Sequence, residues 1–390
     1  VPTNKVVCHL IFEHDPFDGR VFHKECKSLQ QAGYQVYLFV PSTKKGRIGK
    51  QGKLLFDSES IYENHKIKII PYTYNKSIPK FLQMRMLLSS LDIIKKIKHL
   101  NPAIIHVHED GFIMKLASTI KKHLPEAKLV FDFHESYLHR LRDKGLYHKV
   151  ADYIKLEDTL LSAVDAVVTV SPYLTEHYQS ITDAPVVTIP NTQSKNIFIP
   201  TIELKLDKSI FWIAIEGKLF FDRGLQLILD AAKQLERPDI RFLVIGDLPA
   251  KEMAFYTEYC NKHNIRDRFH ITTFLPYQEV ASWLCLAKAG LSIYLSKNAR
   301  IGYPNKLFNY LLFGIPVIAN IESGSGKFVQ ENGIGIAFSD KDPASLVKAI
   351  MQLATDKEFY TEIQSKAQIT AEIYNWEYTA KDLISLYEKL

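Results

Sequence analysis

The chain has 390 residues, 46% of them hydrophobic and 24% charged, with a formal net charge of +6. That length exceeds one ordinary hydrophobic core, and the composition excludes a disordered or fibrous protein. Cys8, Cys26, Cys260 and Cys285 lie far apart with no C-x-x-C, which argues against a disulfide framework or zinc knuckle and fits a reducing, cytoplasmic setting.

Short apolar runs alternate with amphipathic segments from end to end, the pattern of β-α-β units and parallel sheets. In the first half the runs predict strands near 6–12, 35–40, 67–70, 104–107, 129–133, 166–170 and 186–189. Residues 80–100 predict a helix with Phe81, Leu82, Met86, Leu87, Leu88, Leu91, Ile94 and Ile97 on its apolar positions and Lys95, Lys96 and Lys98 nearby. Packing on the sheet is the expected role of that helix, and a basic membrane-surface helix is the alternative. The second half repeats the rhythm at 210–215, 241–245, 269–272, 290–294, 316–319 and 333–337. The expected fold class is therefore α/β, with two Rossmann-like, doubly wound parallel sheets in series.

Pro190 to Pro200 reads as the hinge, because prolines at both ends resist continuing either element. The expected domains are residues 1–192, joined by a C-terminal helix at about 375–390, and residues 193–374. In that helix Trp376, Leu383, Leu386, Tyr387 and Leu390 recur at helical spacing. No apolar run approaches the roughly 20 residues needed to cross a bilayer, and no signal-peptide pattern follows Val1. Residues 1–200 carry 27 Lys+Arg against 20 Asp+Glu, whereas residues 201–390 carry 22 against 23. A basic first half suits an anionic acceptor or surface.

Open parallel sheets bind ligands where strand carboxyl ends meet helix N-termini. One such junction is Glu216-Gly217-Lys218-Leu219-Phe220-Phe221-Asp222-Arg223-Gly224. Its glycines let backbone approach a ligand, and Lys218 and Arg223 bring two cations to a helix start, which suits a diphosphate. A second is Tyr303-Pro304-Asn305-Lys306-Leu307-Phe308-Asn309, with Asn305 read as the helix cap and Asn309 on the same face. In the first half, His106-Val107-His108-Glu109-Asp110 ends one strand and Asp132-Phe133-His134-Glu135 ends the next. His106 and His108 are expected to point to opposite faces and so to make a poor metal pair, and Asp340-Lys341-Asp342 reads as turn and cap; no metal is expected.

Pro304 to Tyr310 with Gly314-Ile315-Pro316-Val317-Ile318, together with Gly217-Lys218 and Arg223-Gly224, resembles the large retaining GT-B glycosyltransferase family, family 4. Asp18-Gly19-Arg20-Val21 with Glu25 and Gly33 resembles that family's first loop and helix, and Trp376-Glu377 with Leu386-Tyr387 its closing helix. The likeness runs over essentially the whole chain. It implies a GT-B architecture whose two domains face each other across a cleft, and transfer of a sugar from a nucleoside diphosphate, UDP above all, to an acceptor hydroxyl with retention. The nucleotide sugar is then a co-substrate, and no cofactor is expected.

The resemblance implies roles position by position. His134, Lys218 and Arg223 are the catalytic set. Gly19, Gly217, Phe274, Leu275, Tyr303, Asn305, Lys306, Leu307 and Asn309 join Lys218 and Arg223 around the donor. Arg20, His108, Glu109 and Glu135 face the acceptor. Surface polysaccharide or glycoconjugate assembly is the implied setting, with a glycan, lipid-linked or protein acceptor, an anionic membrane surface on the cytoplasmic side as partner, and no nucleic acid. The family pattern places acids at 301 and 309, where this chain has Ile301 and Asn309. That departure keeps open a catalytically weak subunit that binds a partner or glycan. A sugar-nucleotide 2-epimerase, which shares the two-domain shape, is a third reading.

Overall fold

The computed structural model describes residues 5–390 apart from 13, 43–46, 49–53, 57–61, 65, 74–81, 109–111, 197, 274, 276, 297–300 and 340–341. The chain divides into two compact units, Val1–Pro190 with Ala380–Leu390, and Asn191–Thr379.

The strands of the first unit are β1 (Val6–Leu10), β2 (Gln35–Ser42), β3 (Arg47–Ile48), β4 (Leu54–Phe56), β5 (Tyr62–Asn64), β6 (Ile67–Thr73), β7 (Ile104–His108), β8 (Lys128–Phe133), β9 (Ala166–Thr169) and β10 (Val186–Thr188). Eight of them form one sheet in the order β10-β9-β8-β7-β1-β2-β6-β5, and β3 pairs with β4 separately. All pairings in the large sheet are parallel except β5 with β6. Parallel neighbours need helical crossovers that cover both faces, so these strands read as near-continuous apolar runs. Hence Val7, Cys8 and Leu10, like Leu129, Val130 and Phe131, are all buried. The two- and three-residue strands β3, β4 and β5 left no readable pattern, because such lengths hold too few residues to show a period.

The second unit contains β11 (Phe211–Glu216), β12 (Ile240–Ile245), β13 (Phe269–Ile271), β14 (Ala287–Ser292), β15 (Val317–Asn320) and β16 (Gly335–Phe338). They form a six-stranded sheet of order β13-β12-β11-β14-β15-β16, parallel throughout. Chain order therefore reverses direction at β11, between β12 and β14, the kind of switch point that opens a crevice at the strand ends. The two Rossmann-like sheets are the expected fold class.

The helix Leu82–Leu100 buries Ile93, Ile94 and Ile97, while Leu91 is exposed; the side chains expected at 81–89 lie outside the described residues. Among the described residues no helix is long and apolar enough to cross a membrane. The closing helix Trp376–Lys389 buries Leu383, Leu386 and Tyr387, and the Tyr387 hydroxyl lies 2.6 Å from His106 Nδ1 inside the first unit.

Candidate functional site

In the second unit, β11 delivers Glu216 to a turn that Gly217 makes in the left-handed region, at φ 87°. Lys218 is exposed on that turn, and a 3-10 turn over Phe221–Arg223 leads to Gly224, the N-cap of the helix Leu225–Gln234. Gly224 is also left-handed, and a Cβ there would lie 2.7 Å from Ile293 Cγ2. Only glycine meets both demands.

The other junction starts the helix Asn305–Leu312. Pro304, extended at φ −74° and ψ 147°, is its cap, which corrects the expectation for Asn305: Asn305 is the first residue inside the helix and is exposed. The proline ring holds φ near the value the cap shows, without help from a side-chain cap. Neither Gly224 nor Pro304 offers a side-chain acceptor; the Leu225 and Leu307 N–H groups donate to the Phe220 and Pro304 carbonyls, and in the second helix those of Asn305 and Lys306 are left to meet an outside anion.

Two cations meet over one aromatic ring beside these junctions. The Arg223 guanidinium carbon lies 5.0 Å, and Lys306 Nζ 5.6 Å, from the centre of the Tyr294 ring, and Arg223 Nη1 donates to the Tyr294 hydroxyl at 3.4 Å. Lys306 is buried, and burial together with the Arg223 charge pulls its pKa down to about 7, against the pull of Glu216. Burial in turn raises the Glu216 carboxyl to about 7, with Lys306 and Asn309 opposing. A buried ammonium beside a guanidinium is destabilised until an anion arrives, so this corner is electrostatically prepared for phosphate.

The remaining donor-side expectations divide by burial. Asn309 is buried, with its Nδ2 donating to Glu216 Oε1 at 2.6 Å. Leu307 is fully buried and its N–H donates to the Pro304 carbonyl at 3.0 Å, so neither its side chain nor its amide is offered to a ligand. Tyr303 packs edge-on against Phe328 at 5.1 Å, as part of an apolar wall. Leu275 is half-buried past the end of β13, and Phe274 lies outside the described residues. Tyr310 fixes the floor: its hydroxyl accepts the Glu216 N–H at 3.0 Å, and its ring lies where a Cβ on Gly290 would be, 2.5 Å away.

In the first unit, a chain of polar groups runs from the first loop to the end of β8. His14 Nδ1 lies 3.1 Å from Asp18 Oδ2, His14 Nε2 lies 2.9 Å from His134 Nδ1, and His134 Nε2 lies 3.0 Å from Asp132 Oδ2. His134 is half-buried in the middle of this relay, with one ring nitrogen on His14 and the other on Asp132. Gly19 is exposed, and a Cβ there would meet nothing within 4 Å. Glu135 is half-buried and paired with Arg140, and Glu109 lies outside the described residues.

Arg20 and His108 are not surface groups. Arg20 donates through Nε and Nη2 to Asp132 Oδ2 at 3.1 and 2.9 Å and through Nη1 to the Ile189 carbonyl at 2.9 Å, and its Nε lies 2.9 Å from Glu25 Oε1. His108 is fully buried, with Nδ1 3.4 Å from Asp132 Oδ2 and Nε2 2.8 Å from His9 Nδ1. Both therefore organise the interior rather than present a side chain to an acceptor. The expectation that His106 and His108 point to opposite faces is also corrected. Their rings stack with centroids 4.2 Å apart, because residues two apart on a strand share a face. With His9 and Glu25 they bring one potential ligand atom each within 4.8 Å of one another, as do His108, Asp132 and His134.

This interior makes the first unit acid-sensitive. Burial holds His9 and His106 well below the usual histidine range and His108 at about 4. An unfolded histidine titrates near 6.5, so between about 6.5 and 4 the unfolded chain binds more protons and stability falls with pH. His108 alone accounts for about 2 kcal/mol at pH 5. Glu25, raised to about 8 by burial, acts the other way, since its folded form already holds a proton. Three imidazoles against one carboxyl leave a net loss. Protection factors of the amides in β1, β7 and β8 are expected to fall between pH 7 and 5, whereas fluorescence of Trp212, Trp283 and Trp376, all in the second unit, is expected to report a smaller change. Equal protection of β7 at both pH values would contradict this account.

Residues 203–370 match the family Glycosyl transferases group 1, and residues 19–192 match Glycosyltransferase Family 4. The chain belongs to the group 1/family 4 glycosyltransferases. Solved structures share the fold of this glycosyltransferase at low identity. Sucrose-phosphate synthase from Thermosynechococcus elongatus superposes with a TM-score of 0.76 at 15% identity, covering 99% of this chain and 98% of that one. Anabaena HepE, in complex with UDP and glucose, gives 0.72 at 12%, covering 99% and 100%. The lipopolysaccharide outer core galactosyltransferase WaaB gives 0.66 at 16%, covering 99% and 100%. No curated protein matches the glycosyltransferase in sequence.

Three polar residues of these networks escaped the sequence reading of this glycosyltransferase as site residues: His14, Asp132 and Glu216. Asp132 sits two residues before His134 at a strand end, and His14 four residues before Asp18, so both had a local signal. Glu216 had none, because its partner Asn309 lies 93 residues away.

Proposed function

We propose that this glycosyltransferase moves a hexose-type sugar from a nucleoside diphosphate donor, uridine-based, to an acceptor hydroxyl with retention of configuration. The observation that carries the reading is the corner of Arg223, Lys306 and Tyr294 at two helix N-termini without side-chain caps. On this reading the second unit holds the donor, with Lys218 and Arg223 on the diphosphate, Gly217 and Lys306 lining it, and the first-turn N–H groups of Asn305 and Lys306 completing the cradle. These groups stabilise the charge that develops as the bond from the anomeric carbon to the diphosphate oxygen breaks, so the step needs no metal. The acceptor hydroxyl then adds on the face the diphosphate leaves, through an oxocarbenium-like state, and gives its proton to the departing diphosphate oxygen. His134 orients the sugar, held by His14 and Asp132, while the exposed backbone at Gly19 is assigned to the donor and Glu135 to the acceptor.

Assembly of surface polysaccharide or glycoconjugate, at the cytoplasmic face of a membrane, is the setting proposed, on the basic charge of residues 1–200. The direct test is a screen of UDP-, GDP- and dTDP-sugars by calorimetric binding and slow donor hydrolysis, repeated after EDTA. Donor binding and metal-independent hydrolysis are expected for a UDP-sugar; no stabilisation by any nucleotide at millimolar concentration would sink the proposal, since a ligand of the native state must stabilise it. His134→Ala is expected to lower turnover about a hundredfold while donor affinity changes little, because positioning acts on the reacting geometry. An unchanged turnover number would remove His134 from the mechanism.

A further inference from the structure

The second unit has a basic cavity at the edge of its sheet away from the donor corner. Its volume is about 420 Å³, and it is bounded by the chain entering β11, the start of β14 and the helices Pro343–Thr355 and Lys357–Ile373. That size falls within the range of small-molecule sites. β11 runs from Phe211 on the cavity wall to Glu216 at the donor corner. At about 3.3 Å per residue the strand keeps the two places roughly 17 Å apart, so both can be filled at once.

Charge marks this cavity. Lys208, Lys288, Lys357 and Arg237 line it, with Asp239 as its one carboxylate. Asp239 is already engaged, accepting from Arg237 Nε at 2.8 Å and Nη2 at 2.6 Å. Three lysines remain, and among the described residues none of their ammonium groups has an acidic partner. Residues 201–390 carry 22 Lys+Arg against 23 Asp+Glu, so this excess of cations is local. Lys288 is the single exposed position of β14, and Lys357 opens a helix, where a positive charge opposes the dipole. Neither placement follows from packing or helix stability, and the mutual repulsion of the three is relieved by an anion.

The other groups on the wall narrow the ligand. Tyr360 donates to the Lys288 carbonyl at 3.0 Å, Thr361 to the Lys357 carbonyl at 2.9 Å, and Ser209 to Asp207 at 2.7 Å. With its hydroxyl protons so directed, the cavity offers an uncharged sugar few donors and a phosphate several. Ile210 and Leu353 are buried beneath, and Phe211 meets Tyr360 edge-on at 6.2 Å, which gives an apolar wall for the carbon face of a ring. Inorganic phosphate would leave that wall bare.

We propose that this cavity binds a phosphate monoester carried on a ring of monosaccharide size, as a second anion site apart from the donor corner. Its ligand ties together the entry to β11, the start of β14 and the start of the helix Lys357–Ile373, three segments distant in sequence. The inference stands independently of the donor reading.

The test is calorimetric titration of the full chain with ribose 5-phosphate and glucose 6-phosphate, with and without saturating UDP, and with glucose and inorganic phosphate as controls. One equivalent of a sugar phosphate is expected to bind with a Kd below about 1 mM whether or not UDP is present, and inorganic phosphate about tenfold more weakly. Lys288→Gln with Lys357→Gln, both exposed positions, is expected to weaken the sugar phosphate about tenfold or more and to leave the UDP isotherm unchanged. The wild-type titration needs no variant to fold. Absence of binding by either sugar phosphate at about 5 mM would overturn the site. Unchanged binding in the double variant would do the same, as would displacement of the sugar phosphate by UDP, which would put the anion at the donor corner. Cosedimentation with phosphatidylglycerol vesicles without binding of either sugar phosphate would assign the lysines to a lipid surface and overturn the proposal. Sugar-phosphate binding in a chain that ignores UDP would uphold this site and count against the donor reading alone.

Discussion

Arg223→Ala is expected to weaken binding of a nucleoside diphosphate about tenfold to a hundredfold, the range for a charge-assisted contact in a partly desolvated site. Arg223 is half-buried, fixed against Tyr294 by its ring contact and its hydrogen bond, so little side-chain entropy is lost when phosphate arrives. Its removal has a second consequence. Lys306 loses the neighbour that helps hold its pKa near 7 and becomes more fully protonated at neutral pH. The variant should therefore keep part of its affinity through Lys306, and Arg223→Ala with Lys306→Met should lose more than either change alone. Calorimetry with UDP, backed by the ratio kcat/KM for transfer, reads both effects. Unaltered affinity in Arg223→Ala would show that the anion is held elsewhere.

Arg20→Met is expected to destabilise the first unit by about 3–5 kcal/mol, the cost of breaking a buried ion pair from one side. The guanidinium pairs with the buried Asp132 carboxylate, lies 2.9 Å from the buried Glu25 carboxyl, and also ties the first loop to the carbonyl of Ile189. Methionine keeps much of the volume but leaves Asp132 without its cation. Asp132 would then have to rise from its depressed pKa and take a proton. Because the chain has two units, a single global unfolding curve is a poor measure, and amide exchange in β1 and β8 is the direct one. The double change Arg20→Met with Asp132→Leu should cost less than the sum of its parts. Strict additivity would mean that the pair is not coupled as drawn.

The contrast between the two halves explains which parts of the site were readable in sequence. Gly217, Lys218, Arg223 and Gly224 stand in one nine-residue loop, and their spacing alone implies a helix start with two cations. Lys306 was legible as a first-turn residue, but not its burial or its sharing of Tyr294 with Arg223, a contact that joins the segments after two separate strands, β11 and β14. In the first half, His134 was legible from its place after a strand. The roles of Arg20 and His108 were not, since both look like loop and strand-end polar groups until the neighbouring strand and helix close over them.

Period and punctuation determined the architecture. Runs of five to seven apolar residues alternating with amphipathic helical segments are the pattern of parallel strands covered by helices on both faces, so two doubly wound sheets were legible from local pattern. Tertiary structure decided which polar groups belong to the chemistry and which to the interior, because strand order, not sequence order, chooses the neighbours. β11 lies between β12 and β14, and only that placement sets Glu216 against Asn309 and gives the donor corner its carboxylate.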